Sequence, residues 1–98
     1  MKVAITSRHF KLSDTLKVMI EEELEKFSKY TDRIIGVEVI LEENSRRKSS
    51  EIKMRVDKSL ITTKGEDYDL TKAIEQSISK MEARIKKHIG KYHGRRKG

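Results

Sequence analysis

Apolar and polar positions along this chain follow two periods, and the order of those periods predicts the fold. Lys2–Thr6 alternates, with Val3 and Ile5 on one side, and reads as a first strand. Ser13 suits a helix N-cap, and Asp14 puts a negative charge in the first turn, where the helix dipole favours it. Leu16, Met19, Ile20, Leu24 and Phe27 then recur at spacings of three and four, and Tyr30 continues the row. That spacing predicts an amphipathic helix of about five turns. Turn-prone Thr31-Asp32 and Gly36 bracket its end. Val37, Val39 and Leu41 alternate with Glu38, Ile40 and Glu42, a half-buried second strand. The polar stretch Glu43–Ser50 reads as a hairpin loop. Ile52, Met54 and Val56 alternate with Lys53, Arg55 and Asp57 in a third strand. After the short turn Asp57-Lys58-Ser59, the β-branched run Leu60–Thr63 predicts a fourth strand, ended by Gly65. A second helix opens near Asp67 or Asp69, with Leu70, Ile74, Ile78, Met81, Ile85 and Ile89 as its apolar row. Gly90 and Gly94 offer it stops, and Lys91-Tyr92-His93 can extend it.

The order is β-α-β-β-β-α, an α+β fold. Each strand has one apolar face and each helix one apolar stripe, so the economical packing is a four-stranded sheet with two helices on one face. The other face carries Glu38, Glu42, Lys53 and Arg55 and is expected to be wet, which suits antiparallel hairpins. The pattern leaves the places of the first and last strands open. At 98 residues one core saturates the chain. We therefore expect a single domain over residues 1–91 and a short basic tail over 92–98, with no repeat or linker between.

Composition narrows the chemistry. Charged residues make up 40% and aromatics 5%, so the core must rest on Ile, Leu, Val and Met. The absence of cysteine excludes disulfides, a thiol nucleophile and thiolate zinc sites, and the absence of proline excludes collagen-like and proline-rich readings. Apolar runs such as Val39-Ile40-Leu41 fall far short of the ~20 residues needed to cross a bilayer. Met1–Thr6 meets charge before any signal-type stretch forms, so a cytoplasmic location is expected.

The net charge of +7 is unevenly placed. Residues 1–75 hold 15 Lys/Arg and 15 Asp/Glu, whereas residues 76–98 hold eight Lys/Arg against one acid, Glu82. Such a segment repels itself unless it meets an anion, and a polyanion is the first partner to consider. The alternative is a solvated helix with a ragged basic tail. At about 100° per residue, Lys72, Lys80, Arg84, Lys87 and Lys91 form one stripe roughly 130° from the apolar row, with Lys86 elsewhere. Lys26 and Lys29 share a flank of the first helix, with Arg33 beyond its end. Side-by-side packing would let the two flanks border one groove. Solvated faces usually mix signs, so a stripe of cations with no acid among them favours contact with RNA phosphates.

Base-reading signals are weak. Phe10, Phe27, Tyr30, Tyr68 and Tyr92 all lie outside the predicted strands, so no stacking platform forms. Phe27 is expected in the core and Tyr68 packed at a helix start. Catalysis has little support: His88 and His93 are five apart, which is the wrong spacing for a helical metal pair, and Lys87 and Lys91 would repel a cation. Ser7-Arg8-His9 offers a hydroxyl beside an imidazole, but neighbouring positions on an extended chain point apart, and Glu21, Glu22, Glu23 and Glu25 spread round their helix as a solvated face. No glycine loop cradles phosphate, and no cofactor or small-molecule substrate is expected.

Three stretches carry a family resemblance: Val3–Ser13, Lys26–Ile34 and Gly65–Glu75. Together they resemble the ribosome hibernation promoting factors, a family that also contains the ribosome-associated inhibitor once called a sigma-54 modulation protein. The likeness runs from the N-terminus to about Lys91. It implies a β-α-β-β-β-α domain lodged at the decoding region of the small ribosomal subunit, touching its rRNA and occupying the messenger and tRNA paths. Matching the family's basic helix positions gives Lys26, Lys29, Lys80, Arg84 and Lys87, which coincide with the stripes. The RNA-binding set expected from stripe and resemblance is Lys26, Lys29, Lys72, Lys80, Arg84, Lys87 and Lys91. Ser7 stands where the family commonly has glycine, which leaves the bend after the first strand open. With the chain ending at Gly98, the resemblance is to the short factors, which pair ribosomes with the help of a separate small modulation protein. The leading function is a translation silencer acting by steric occlusion. A generic double-stranded RNA-binding module is the alternative, although its usual order lacks the first strand. A domain for an acidic protein partner would fit the charge but leaves the stripe unexplained.

Overall fold

The computed structural model describes the backbone from residue 1 to 94 and side chains to residue 90. Strand β1 (Lys2–Arg8) leads to helix α1 (Asp14–Glu25) and a 3-10 turn (Lys26–Lys29). Strands β2 (Ile34–Glu43), β3 (Lys48–Val56) and β4 (Ser59–Asp67) follow, then helix α2 (Leu70–Gly94). The sheet order is β1-β2-β3-β4. β1 runs parallel to β2, and the β2–β3 and β3–β4 pairs are antiparallel. Only the parallel pair needs a crossover, and α1 supplies it.

The predicted order and the inward-facing rows hold. Val37, Val39 and Leu41 of β2, Ile52, Met54 and Val56 of β3, and Ile61 of β4 join one core with Ile20, Leu24, Phe27, Ile74, Met81 and Ile85. Both helices therefore cover the same face of the sheet. Ser13 caps α1 as expected: the Leu16 amide donates to its Oγ at 3.1 Å.

Local corrections follow from hydrogen bonding. The first helix does not run on in α-helical form to Tyr30. After Glu25 it tightens, and the Tyr30 amide bonds the Phe27 carbonyl at 3.0 Å in the three-residue pattern, so Phe27 still reaches the core. Gly36 lies inside β2 rather than closing a helix. The β2–β3 loop spans only residues 44–47, because Asn44 Oδ1 accepts from the Arg46 and Arg47 amides at 3.1 and 2.8 Å and closes the turn early. Lys48, Ser49 and Ser50 are therefore strand residues. The bend after β1 falls at His9, which takes φ 72°, and Ser7 stays in the strand.

Gly65 does not end β4; it is where α2 comes closest. A Cβ there would meet Gln76 Cβ at 2.8 Å and the Ser77 amide nitrogen at 2.9 Å, and would collide with the Ala73 carbonyl. Gly65 pairs in register with Ser50, and both are buried beneath Ala73 and Ser77. The Ser50 and Ser77 hydroxyls share a hydrogen bond of 2.8 Å, and Thr63 Oγ1 donates to the Ser77 carbonyl at 2.9 Å. Small and hydroxylated residues thus let the helix sit low on β3 and β4 with every buried side-chain polar atom among the described residues satisfied. Asp69 caps α2, accepting from the Thr71 amide at 2.9 Å.

Candidate nucleic-acid interface

Seated this way, α2 has two unlike flanks. On the β4 side, Lys80 Nζ donates to the Lys64 carbonyl at 2.7 Å, so the stripe runs along the free edge of the sheet. One turn on, Arg84 and Lys87 line a groove of about 350 Å³ with His88 and with Ser59, Leu60 and Ile61 of β4. Lys72 borders a shallow hollow with Lys80, Glu75, Gln76 and Ser79. Lys72, Lys80, Arg84 and Lys87 are all exposed, and none makes an ion pair among the described residues. The Lys91 side chain lies outside the described residues.

The flank facing α1 is acidic. Glu75 and Glu82, with Thr71, Ile78 and Ser79, face Met19 and Glu23 of α1 across a cleft of about 410 Å³. The two lysine flanks, which the sequence left free to border one groove, therefore do not do so. Carboxylates fill that position because the α2 cations sit on the opposite side of the buried row. Further along, Tyr30 Oη donates to Glu82 Oε2 at 2.7 Å, and Lys86 Nζ lies 3.7 Å from Glu82 and 5.3 Å from the Tyr30 ring centroid. Contacts that advance together along both helices mean that α1 and α2 run in the same direction. Their C-terminal turns, where cations suit the dipole, meet at one end of the molecule.

Lys26 and Lys29 are exposed at that end of α1, but they differ. Lys26 is ion-paired with Glu23, and that hydrogen bond and charge raise its ammonium pKa above the usual lysine value. Lys29 has no ion pair among the described residues. A paired cation must surrender its partner to reach a phosphate, whereas an unpaired one releases only counterions. That distinction favours Arg84, Lys87 and Lys29 over Lys26. Sequence reasoning missed Leu60, which is 53% exposed beside Arg84 and Lys87; exposure of a β-strand leucine is visible only once the edge is known.

The remaining candidates serve the fold. His88 Nε2 lies 3.2 Å from Asp57 Oδ2, and Arg33 Nε lies 3.7 Å from Asp57 Oδ1. Asp57 occupies the tight β3–β4 link with φ 55°, so this cluster ties that turn to α2 and to the start of β2. His9 approaches Glu42 at 3.8 Å. Among the described residues, no group of three or more metal-ligating side chains assembles. The His93 side chain lies outside the described residues. Tyr68 is not packed at the helix start as expected: it is 73% exposed, with the Arg47 guanidinium 5.7 Å from its ring centroid.

A mixed four-stranded sheet under two parallel helices, with cations that lack ion pairs along one edge, defines a small α+β domain. Comparison with known proteins narrows the class. The chain belongs to the family described as sigma 54 modulation protein / S30EA ribosomal protein, whose model matches residues 3–93. It is 26% identical over 98 residues to the ribosome hibernation promoting factor of Azotobacter vinelandii, covering 100% of this chain and 92% of that one. It is 24% identical over 88 residues to the factor of the same name from Pseudomonas putida, covering 90% and 86%. Two solved structures share the fold at a TM-score of 0.83 and 22% identity. The Thermus thermophilus Protein Y N-terminal domain matches over 90% of this chain and 99% of its own, and a ribosomal subunit interface protein from Coxiella burnetii over 90% and 97%. The resemblance read from Val3–Ser13, Lys26–Ile34 and Gly65–Glu75 is thereby borne out.

Proposed function

We propose that this chain is a cytoplasmic hibernation factor that binds the small ribosomal subunit at its decoding region and silences translation by occupying the messenger and tRNA paths. The observation that carries this reading is the unpaired cationic strip along α2. Lys80 reaches the Lys64 carbonyl of β4, and one turn on Arg84 and Lys87 line a β4 groove that holds no carboxylate. The relatives, named as ribosome hibernation promoting factors, support the same partner. No bond is made or broken in this mechanism. Phosphates of rRNA displace counterions from the strip, and the folded domain then stands where messenger and tRNA would lie. Lys72 near the start of α2 and Lys91 later in its sequence complete the proposed set, with Lys26 and Lys29 from the turn after α1. A separate small modulation protein is the second partner where silenced ribosomes pair.

The test is co-sedimentation with purified small subunits at two salt concentrations. Wild-type protein is expected to bind at low salt and dissociate steeply as salt rises, with a log–log slope of roughly 0.7–0.9 per phosphate contact. The variant Lys80→Glu/Arg84→Glu/Lys87→Glu is expected to lose binding while its far-UV spectrum and melting remain those of the wild type. Retention of binding by that variant overturns the reading. Equal affinity for a bare RNA duplex and for intact subunits would favour the double-stranded RNA-binding module instead.

A further inference from the structure

The α2 strip does not stop at the sheet edge. Leu60 lines the α2–β4 groove with Arg84 and Lys87, and it also lines a second trough of about 520 Å³ on the open face of the sheet. Lys2, Ala4, Gly36, Glu38, Lys53 and Arg55 form much of that trough. Strand register explains its shape. Lys2, Gly36, Arg55 and Leu60 form one row across all four strands, and Ala4, Glu38, Lys53 and Thr62 form the next. Gly36 and Ala4 keep the floor low between the cations. Ile35, 60% exposed, and Leu60 provide apolar surface at its margins.

The charge on this face is segregated. Near β4's N-terminal end, Lys2, Lys53 and Arg55 face a single carboxylate, Glu38, and none of the three cations makes an ion pair among the described residues. Toward the other end the rows hold Glu42, Glu51 and Glu66 with Arg8 and Lys64. There Glu42 is engaged by His9 at 3.8 Å and Glu66 by Arg47 at 4.0 Å. Three cations thus meet one carboxylate at the end that adjoins Arg84 and Lys87, whereas Arg8 and Lys64 are set among three carboxylates at the other.

We propose that these two cationic surfaces are one track, along which a single RNA strand leaves the α2–β4 groove, crosses the edge over Leu60 and continues onto the open sheet face under Arg55, Lys53 and Lys2. This rests on the ribosome-binding reading and extends it to a second face of the domain. Phosphates meet the cations on either side of Leu60, and a ribose or base packs on the exposed leucine. A second copy of the chain is the poorer occupant, because it would set the same unpaired cations against each other.

The experiment measures affinity of the full chain for purified small subunits across a salt series. Lys53→Gln/Arg55→Gln is expected to weaken binding about tenfold or more at low salt and to lower the log–log salt slope by roughly 1.5, two contacts' worth. Leu60→Ser is expected to weaken binding several-fold with the slope unchanged, since an apolar contact releases no counterions. The control Arg8→Gln/Arg46→Gln, which removes two cations near the other end of the sheet, is expected to match the wild type. Wild-type affinity and slope in the Lys53/Arg55 variant overturn the track, as does an equal loss in the control, which would mark a general charge effect. A shift in the protein's own sedimentation, with subunit binding intact, would assign the face to self-association and overturn it too. Failure of the wild type to bind subunits would instead sink the ribosome-binding reading, and the track with it.

Discussion

The two long sides of α2 carry ionisable groups in similar number and put them to opposite use. Toward α1, Glu82 is shared by the Tyr30 hydroxyl and the Lys86 ammonium, so charge is spent inside the protein. Toward β4, Arg84 and Lys87 have neither ion pair nor carboxylate in their groove, and Lys80 reaches only a backbone carbonyl. Total charge does not mark a binding surface, because each paired cation has an anion to lose before it can gain one. Exposed pairs such as Lys86–Glu82 contribute at most about 0.5 kcal/mol to stability, but they remove a cation from the available field.

The sharpest way to break this contrast is to lift α2 from the sheet. Gly65→Val places side-chain carbons against the Ala73 and Ser77 backbone, and overpacking there is expected to cost about 2–3 kcal/mol. Urea unfolding reads this as a lower midpoint at unchanged slope. Subunit affinity should fall as well, because Lys80 and Arg84 lose their register with β4.

A smaller effect separates neighbours in sequence. Lys87→Glu is expected to lower subunit affinity about tenfold or more and to reduce the salt slope by about one contact. Lys86→Glu, one residue away on the paired flank, is expected to leave affinity within about twofold while lowering stability by about 0.5 kcal/mol. Equal losses of affinity in both variants would erase the distinction between the flanks.

The smallest effect concerns pH. The hydrogen bond to Glu82, together with burial and the nearby charge, raises the Tyr30 phenol above its ordinary pKa of 10.0. A folded pKa above the unfolded one means that this contribution is fully present below pH 10.0 and is lost as pH rises through the raised value. Tyr30→Phe should therefore lower the melting temperature by a few degrees near neutrality and flatten the alkaline decline. Arg84 and Lys87 lie on the other flank of α2 from this bond, so their share of subunit affinity should not change.

Much of the fold was legible because periodicity is local. Val37, Val39 and Leu41 alternate, Ile74, Met81 and Ile85 recur, and each set is buried as its spacing implies. Small and polar residues were misread. Ser50 and Gly65 resemble loop and stop signals, yet they form the low ground on which Ala73 and Ser77 rest. Tyr68 looked like a packing residue because it stands at a helix start, but the turn there points it outward beside Arg47. The candidate site was legible as a stripe, since helical angle alone groups Lys80, Arg84 and Lys87. Its border with β4 was not, because no local signal says which strand lies beside which flank.

Chain order by itself determined which residues face inward and that the excess positive charge belongs to the last quarter of the chain. Tertiary structure decided which cations remain unpaired, that the groove between the helices is acidic, and that Leu60 joins the α2 flank to the open sheet face. The reason is range: side-chain direction follows from repeats of two or 3.6 residues, whereas an ion pair depends on distances between groups such as Tyr30 and Glu82, separated by 52 positions in the chain.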